Sequence, residues 1–559
     1  MKDETRREFL KKGLAAMGGA VASGVLGNAA PGHAAKRNAG GVASGGPRAA
    51  GQKRPNIVLI ITDQQRQAQH WPDGWIEAHM PSMARLQNHG VTFTNNFAAA
   101  TACAPSRASF LTGVYPSVHG CTDTPPNPAL RSDITNIFKL AEQAGYEVAY
   151  KGKMHLFTPQ SNPSTDNFTS YDIKWASDKY RANRWNPPDD ALDAGASVYI
   201  AGGWPNNDAR YVSGVPDTYN RMTPAVGKGE SIFEYLDNYN PKADKPFLLV
   251  CSFGNPHDIS TWPDHTKWGY NEAEYKKLTE IGLPSNYEDD LKEKPIGQTW
   301  IQKLCDKAFP CSSTQDRIDY CRFYAHLHTV VDKQISAVLD KLDEKGLTDD
   351  TIIFRFADHG EQSFSHGLQQ KSVNCYQESI NVPMIISNPK LFPKGTTTSS
   401  FASLIDLVPT VAEITGAASP AELKQMGICG KSLVPIMRDP NVSVRDNIML
   451  YTEDVEYFFE KFLGKKNFYQ TMPGRIRSIR FEDWMYAVYF TDKGTKIQYE
   501  MYNLSDDPGE LKNLAWGSRQ KANLKQMQNL HDMLTAELET YQALPKGFQW
   551  PAKAGTESV

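Results

Sequence analysis

A cysteine, a proline and an arginine lie within five residues of one another in the segment Cys103-Ala-Pro-Ser-Arg107. Pro105 suits the first turn of a helix, where its missing N–H costs nothing. The residues from Ala108 to Leu111 continue as good helix formers. Cys103 is therefore predicted at a helix N-terminus, where unpaired N–H groups and the helix dipole favour an anion. Arg107 adds a planar positive group to the same segment.

The pattern Cys103-x-Pro-Ser-Arg107 resembles the maturation signature of type I sulfatases, in which the cysteine is oxidised to formylglycine and the hydrated aldehyde is the nucleophile. The following residues 108–113 and Tyr115-Pro116 also match the family. The resemblance implies a sulfuric ester hydrolase (EC 3.1.6-type) and a formylglycine-generating maturation enzyme as a partner. The alternative interpretation is an inert cysteine, either buried or disulfide-bonded.

The composition is that of a globular protein. The chain has 559 residues, of which 40% are hydrophobic and 22% charged, and its formal net charge is -3. It is long enough for one large core and a smaller one, and the near-neutral charge gives no indication of a nucleic-acid partner. Eight cysteines are too few for a disulfide scaffold of this length. Cys305, Cys311 and Cys321 are close enough in sequence for a local disulfide, but their spacing does not select a pair.

The N-terminal segment Thr5–Lys11, which contains Arg6-Arg7, resembles a twin-arginine export signal. We therefore expect a signal peptide over residues 1–35, a linker over 36–53, and export by the twin-arginine translocation machinery to the periplasm or beyond. The weakly apolar stretch 13–30 is too polar for a stable membrane anchor. A frayed N-terminal helix is the alternative.

Two predicted strands end in polar residues that could bind a cation. The buried run 56–61 is followed by Asp63-Gln64, and the run 351–356 by Asp358-His359. Ligands of open α/β sheets bind beyond the carboxyl ends of strands. The resemblance implies that these four residues hold a divalent metal. We expect Ca²⁺, although the imidazole makes Mn²⁺ or another divalent ion possible. The family usually has paired acids where this chain has Asp63-Gln64.

Four further residues match family motifs. Lys153 and His155 follow the predicted strand 147–150, His257 follows the predicted strand 246–251, and Lys371 matches a lysine that binds sulfate. The resemblance implies that Arg107, Lys153 and Lys371 neutralise the sulfate. It also implies that His257 protonates the leaving group and that His155 accepts a proton from the formylglycine hydrate. The alternative for each is an ordinary solvated lysine or core histidine.

The fold implied is α/β, with a large mixed, mostly parallel sheet flanked by helices as in the alkaline phosphatase superfamily. This catalytic domain is expected over residues 54–440, with helices over 133–144, 315–345 and 401–415. An irregular insert over 156–231 bears tryptophans and arginines and is a candidate for substrate selection, with ordinary loop packing as the alternative. A C-terminal subdomain over 441–559 is expected to hold a small antiparallel sheet and a helix near 520–540.

The function predicted is removal of sulfate from an exported substrate. A sulfated saccharide is favoured over a sulfated small molecule such as a choline ester. One rival is a phosphonate or phosphate ester hydrolase of the same superfamily. The other is a non-catalytic protein that binds sulfated glycans and keeps Cys103 as a thiol.

Overall fold

The computed structural model describes residues 54–67, 69–124, 128–160, 170–186, 211–213, 229–242, 245–371, 373–453, 460, 463–464, 468–494, 496–544, 548 and 550–555. The predicted signal peptide, the predicted linker and most of the predicted insert lie outside these residues. Among the described helices, none has both the length and the apolar character that crossing a bilayer requires.

A seven-stranded sheet forms the centre of the structure, in the order β4-β5-β1-β6-β7-β2-β8. Only β7 runs against the other six strands, so the sheet is mixed and mostly parallel, as predicted. The short strands β3 and β9 pair separately. The strands described up to residue 403 are β1 Asn56–Asp63, β2 Gly90–Phe93, β3 Asn96–Phe97, β4 Glu147–Gly152, β5 Phe247–Pro256, β6 Thr351–Ala357, β7 Met384–Ser387, β8 Thr396–Thr398 and β9 Ala402–Ser403.

Helices cover both faces of this sheet. The described helices are α1 Trp75–His79, α2 Pro81–Asn88, α3 Cys103–Thr112, α4 Pro116–His119, α5 Ile137–Gln143, α6 Ser170–Tyr180, α7 Ile232–Asn238, α8 Glu272–Lys276, α9 Ile296–Ala308, α10 Thr314–Glu344, α11 Gln377–Ile380, α12 Leu407–Thr415, α13 Pro420–Gln425, α14 Val434–Arg438, α15 Phe468–Thr471 and α16 Gly517–Thr540. Short 3₁₀ helices occupy His257–Thr261, His265–Trp268, Thr348–Asp350, Ser365–Gly367 and Leu404–Asp406.

The central strand β1 is buried on both faces, as its continuous apolar run predicts. Ile57, Leu59 and Ile61 belong to the apolar core on one side of the sheet, and Val58 and Ile60 to the core on the other. With no face in contact with water, β1 is held firmly between β5 and β6. The position of its carboxyl end is therefore fixed, and so is the start of the segment that follows it.

The long helix predicted over 315–345 is observed as α10, within one residue at each end. Two other predicted helices begin later than expected. Helix α5 starts at Ile137 rather than near Asp133, because the side chain of Asn136 accepts hydrogen bonds from the N–H groups of Phe138 and Lys139. The segment 401–415 begins with a short strand and a 3₁₀ turn, and α12 covers only its second part.

A second, antiparallel sheet lies in the C-terminal part of the chain. Its strands are β10 Asn447–Thr452, β11 Arg475–Phe481, β12 Trp484–Phe490 and β13 Ile497–Asn503, paired in sequence order. The amphipathic helix α16 packs its apolar side chains, among them Met527, Leu530 and Leu534, against this sheet. The sequence predicted three of these strands and the helix, and it missed β10.

Two glycines allow the close backbone approaches on which the site depends. Gly152, at the end of β4, has φ +92°, and a Cβ placed there would lie 2.0 Å from the carbonyl oxygen of Ser252 on β5. A Cβ on Gly360, which follows His359, would lie 1.8 Å from the carbonyl oxygen of Glu378. No other residue type fits either position without moving the backbone.

We predict that Gly152→Ala lowers the free energy of unfolding by about 2–5 kcal/mol. The left-handed φ accounts for about 1–2 kcal/mol of this, and the collision with Ser252 adds the cost of overpacking, about 1–3 kcal/mol. Urea unfolding measures the change. The matched control is Gly346→Ala, because Gly346 has φ +64° but nothing within 4 Å of its added Cβ. Equal losses in the two variants would show that the β4–β5 approach is not tight.

Candidate active site

Four adjacent parallel strands bring their carboxyl ends to one edge of the sheet. In the order β4-β5-β1-β6, these ends lead into Lys153, His257, Asp63 and Asp358. The sequence predicts each of these residues at a strand end but not the order of the strands. Because the four strands are adjacent in this order, the residues at their carboxyl ends lie next to one another.

Cys103 is the first residue of α3, as predicted, and only 1% of its surface is exposed. Its Sγ lies 3.0 Å from Nε2 of His359 and 3.7 Å from Oδ1 of Asp63. Ligand atoms of Asp63, Cys103, Asp358 and His359 all lie within 4.8 Å of one another. The thiol therefore lies inside a cluster of potential metal ligands.

The guanidinium of Arg107, one turn along α3, joins the two aspartates. Its Nη2 donates to Oδ2 of Asp63 and its Nε to Oδ2 of Asp358, both at 2.9 Å. Its Nη1 donates to the carbonyl oxygen of Lys153 and to Oγ of Ser252. The arginine is completely buried. Four of its five N–H donors bind protein groups, which makes Arg107 a positioning residue for both carboxylates. The contact with sulfate that the resemblance implies stays a prediction.

Asp63 is surrounded by positive charge. Its Oδ2 also lies 2.7 Å from Nζ of Lys153. Burial raises the pKa of the Asp63 carboxyl, but Lys153 and His257, followed by Arg107 and His359, outweigh this effect and hold the pKa well below its ordinary value. Asp63 is therefore an anion at neutral pH although it is fully buried.

The donor set of the cluster fits a divalent cation. The Oδ2 atoms of Asp63 and Asp358 face Arg107, and Oδ1 of each lies 3.7 Å from Nε2 of His359. Nδ1 of His359 lies 3.0 Å from the carbonyl oxygen of Gly360, which places the proton on Nδ1 and leaves the Nε2 lone pair toward the cluster. Burial lowers the pKa of His359 in spite of Asp358, which raises it. Two carboxylates and a neutral imidazole suit Ca²⁺, Mn²⁺ or a similar ion.

Gln64 and Lys371, both predicted site residues, contact each other. Nζ of Lys371 donates to Oε1 of Gln64 at 2.5 Å. Nε2 of Gln64 donates to Glu361 and, at 3.0 Å, to Oε1 of Gln370. The backbone of Gln64 has φ +66°, and its N–H donates to Oδ1 of Asp358. Gln64 thus connects the candidate metal ligands to Lys371, and its own role as a ligand stays a prediction.

The two remaining predicted residues, His257 and His155, are both buried. His257 begins a 3₁₀ helix, and its Nδ1 lies 3.2 Å from Oγ of Ser260. Burial lowers the pKa of His257 well below its ordinary value, and Lys371 and Lys153 lower it further. His155 lies two residues after Lys153, beyond the end of β4 at Gly152, and its backbone has φ +56°. Its role as a proton acceptor stays a prediction.

The described part of the predicted insert is more ordered than the sequence suggests. It includes α6, and Trp175 and Trp185 pack around Phe157. Arg184 pairs with Glu147 and Glu230. Ordinary packing and ion pairing therefore account for Trp175, Trp185 and Arg184, and a role of the insert in substrate selection stays a prediction.

The local disulfide considered for Cys305, Cys311 and Cys321 does not form. All three cysteines fall in the described part of the chain, and no disulfide joins any two of them.

Sequence reasoning missed three residues that support the site. Ser252 on β5 accepts from Arg107, and Glu361 and Gln370 hold the amide of Gln64. Glu361 is fully buried and also accepts from the hydroxyl of Tyr320. An acid three residues after Asp358 in the same loop was a signal for Glu361. No local pattern indicates Gln370.

Two family models match this chain. Residues 55–417 match the family model described as "Sulfatase", and residues 365–542 match one described as "N-sulphoglucosamine sulphohydrolase, C-terminal". A choline-sulfatase of Rhizobium meliloti is 25% identical, over 88% of each chain. A delta 4,5-hexuronate-2-O-sulfatase of Bacteroides thetaiotaomicron is also 25% identical, over 89% of this chain and 92% of the relative.

Solved structures share the fold. A protein crystallised with its substrate D-glucosamine-2-N,6-O-disulfate has a TM-score of 0.61 and 20% identity, over 88% of this chain and 98% of its own. A phosphonate monoester hydrolase of Agrobacterium radiobacter has a TM-score of 0.60 and 19% identity, over 87% and 96%. The fold thus occurs with more than one ester chemistry.

We predict that Arg107→Met lowers the free energy of unfolding by about 3–5 kcal/mol, because it leaves two buried carboxylates short of a compensating charge. Urea unfolding of the metal-free protein measures the change. The matched control is Arg85→Met: Arg85 pairs with Asp340 and Asp343 at the surface, where such contacts contribute about 1 kcal/mol or less. A loss for Arg107→Met no larger than that of the control would contradict the positioning role.

Proposed function

The chain belongs to the sulfatase family, and we propose that it removes sulfate from a sulfated carbohydrate with a formylglycine at position 103 and a divalent cation. The observation that carries the proposal is the cluster of Cys103 with Asp63, Asp358 and His359 within 4.8 Å. A cysteine that served only packing would not need two buried carboxylates and an imidazole around it. Lys153 and Lys371 lie beside the same cluster.

A sulfate ester is an anion, and its transition state gathers more negative charge on the leaving oxygen and the sulfuryl oxygens. Preorganised positive groups are therefore the main source of catalysis. Lys153 contacts Asp63 and Lys371 contacts Gln64, so both ammonium groups border the cluster and can bind sulfate oxygens. Arg107 acts through the two aspartates that it orients.

The formylglycine hydrate supplies one hydroxyl that attacks sulfur and a second whose proton can be removed to expel sulfate, which a thiol or serine cannot do. Asp63, Asp358 and His359 would hold a divalent ion, with Gln64 as a further candidate ligand, and the ion would supply Lewis acidity at the site. Asp358 accepts the proton of the attacking hydroxyl, and His155 accepts that of the second one.

His257 is the proposed general acid for the leaving alkoxide. In the free enzyme burial, Lys371 and Lys153 lower its pKa, so that it is neutral there. A bound sulfate ester brings negative charge against these lysines and favours the protonated imidazole. The acid is therefore charged when substrate is present to receive its proton.

Two observations support a saccharide as the substrate. The hexuronate sulfatase relative is named for a sugar sulfate, and the glucosamine disulfate complex shares the fold. The choline-sulfatase relative makes a sulfated small molecule the alternative. We also propose that a formylglycine-generating enzyme matures Cys103 before the twin-arginine machinery exports the folded protein to the periplasm or the medium, on the basis of the Cys103–Arg107 and Thr5–Lys11 motifs.

We predict that mass spectrometry of the tryptic peptide 86–107 finds the aldehyde at position 103 in active preparations. Cys103→Ser should lose turnover almost completely and keep the unfolding midpoint, since the hydroxyl replaces a small buried thiol. Cys429→Ser is the control, because Cys429 is another buried thiol outside the cluster. A matured protein with an unmodified thiol and full activity would overturn the mechanism. A thiol without activity would favour the rival function of binding sulfated glycans.

The second candidate function is hydrolysis of phosphonate or phosphate esters, which the shared fold of the Agrobacterium hydrolase favours. We predict that kcat/KM for an aryl sulfate exceeds that for the matched aryl phosphodiester by more than about tenfold. A sulfate monoester offers three unesterified oxygens to the lysines and the metal site, whereas a phosphodiester offers two and needs room for a second substituent. The reverse ratio would assign the protein to the rival chemistry.

A further inference from the structure

A second group of metal-binding side chains lies outside the Cys103 cluster. His366 is in the 3₁₀ turn that follows β6, Glu378 is on α11, and Glu510 is in the turn after β13. One imidazole nitrogen and one oxygen of each carboxylate lie within 4.8 Å of one another. His366 and Glu378 lie between β6 and β7 of the main sheet, and Glu510 follows the last strand of the C-terminal sheet. The group therefore links the two sheets.

Glu510 has an oxygen that the protein leaves without a partner. The side chain is 1% exposed, and its Oε2 accepts from the N–H of Gln377 at 2.9 Å. Its Oε1 has no hydrogen-bond partner among the described residues. The nearby Lys294 donates to the backbone oxygen of Glu510 and not to its carboxylate. Such a carboxylate is costly unless a cation or a proton neutralises it.

The imidazole of His366 is oriented for a metal. Its Nδ1 lies 2.8 Å from Oδ2 of Asp289, and its ring stacks on Tyr376 with centroids 3.8 Å apart. The carboxylate places the proton on Nδ1, so that Nε2 carries a lone pair. A carboxylate behind a histidine is the usual support of a metal ligand.

The amide of Asn286 lies beside two members of this group, His366 and Glu378. Its Nδ2 lies 3.2 Å from Nε2 of His366, 3.3 Å from Oε1 of Glu378 and 3.4 Å from the carbonyl oxygen of Gly509. An NH₂ group has two hydrogens and here faces three acceptors at long distances. A point where several acceptors converge suits a cation, and a rotated amide would present Oδ1 as a further ligand.

We propose that His366, Glu378 and Glu510 form a second divalent-cation site, for a transition-metal ion such as Zn²⁺. One imidazole nitrogen and two carboxylate oxygens are ligands that zinc accepts. The ligand atoms need to approach one another by about 1 Å to reach the spacing of a tetrahedral zinc site. Glu378 is half-buried, which gives the ion a path from solvent.

The proposed ion would brace the segment that carries the active-site ligands. The carbonyl oxygen of Glu378 accepts from the N–H of Glu361, and that of Ser379 from the N–H of Gly360, both at 2.9 Å. Gly360 and Glu361 directly follow His359 in the chain. The second site is thus linked to the first through backbone hydrogen bonds, and it takes no part in the ester chemistry.

The test is the zinc stoichiometry of the full chain. The purified protein is stripped with a chelator, equilibrated with Zn²⁺ alone, passed through a desalting column, and analysed by inductively coupled plasma mass spectrometry. We expect Glu378→Gln to bind one ion fewer per chain than the wild type. The control Glu288→Gln, which removes an exposed neighbouring charge, should bind as many ions as the wild type. Equal stoichiometry in all three proteins would overturn the proposal and indicate a shared proton between Glu378 and Glu510.

A second variant tests the orientation of His366 without removing a ligand. Asp289→Asn should weaken zinc binding at this site by 10- to 100-fold, as expected for loss of a carboxylate behind a ligating histidine. Competition with a chromophoric chelator measures the affinity, and circular dichroism confirms that the variant is folded. Affinity unchanged in folded Asp289→Asn and in folded Glu378→Gln would exclude the site whatever the activity of the enzyme.

Discussion

Two carboxylates are buried side by side at the ends of neighbouring strands, and the guanidinium of Arg107 is the group that joins them. Like charges in a low-dielectric interior repel strongly. A planar group with fixed donors can hold one oxygen of each carboxylate and leave the other oxygen for a ligand. Arg107 does this for Asp63 and Asp358. It also fixes α3, and with it Cys103, against the strand ends.

The rest of the site follows from the strand order. Because β4, β5, β1 and β6 are adjacent and parallel, the groups after them meet at one edge of the sheet. Lys153 and Lys371 add positive charge beside Asp63 and Gln64. The close approach of Gly152 to Ser252 at the end of β4 fixes the backbone position from which Lys153 starts.

The segment after β6 is constrained from two sides. On one side Asp358 and His359 face the cysteine; on the other, Gly360 and Glu361 are hydrogen-bonded to α11. A side chain at position 360 would collide with the carbonyl oxygen of Glu378. The C-terminal sheet reaches the same region through Glu510, whose carboxylate accepts from the N–H of Gln377 at the start of α11. The C-terminal part of the chain therefore contacts α11, and α11 in turn is hydrogen-bonded to the residues that follow His359.

The sequence by itself determined the family, the strands that carry the site, and Cys103 at a helix start, because these depend on local patterns and on a contiguous motif. Tertiary structure alone decided that Arg107 joins the two aspartates, that Glu361 and Gln370 hold Gln64, and that Trp175 and Trp185 pack around Phe157. It also decided that Cys305, Cys311 and Cys321 form no disulfide with one another. Each of these outcomes depends on contacts between residues far apart in the chain, such as Gln64 and Gln370. Such contacts are set by strand order and by the burial of charge, and neither has a local signature.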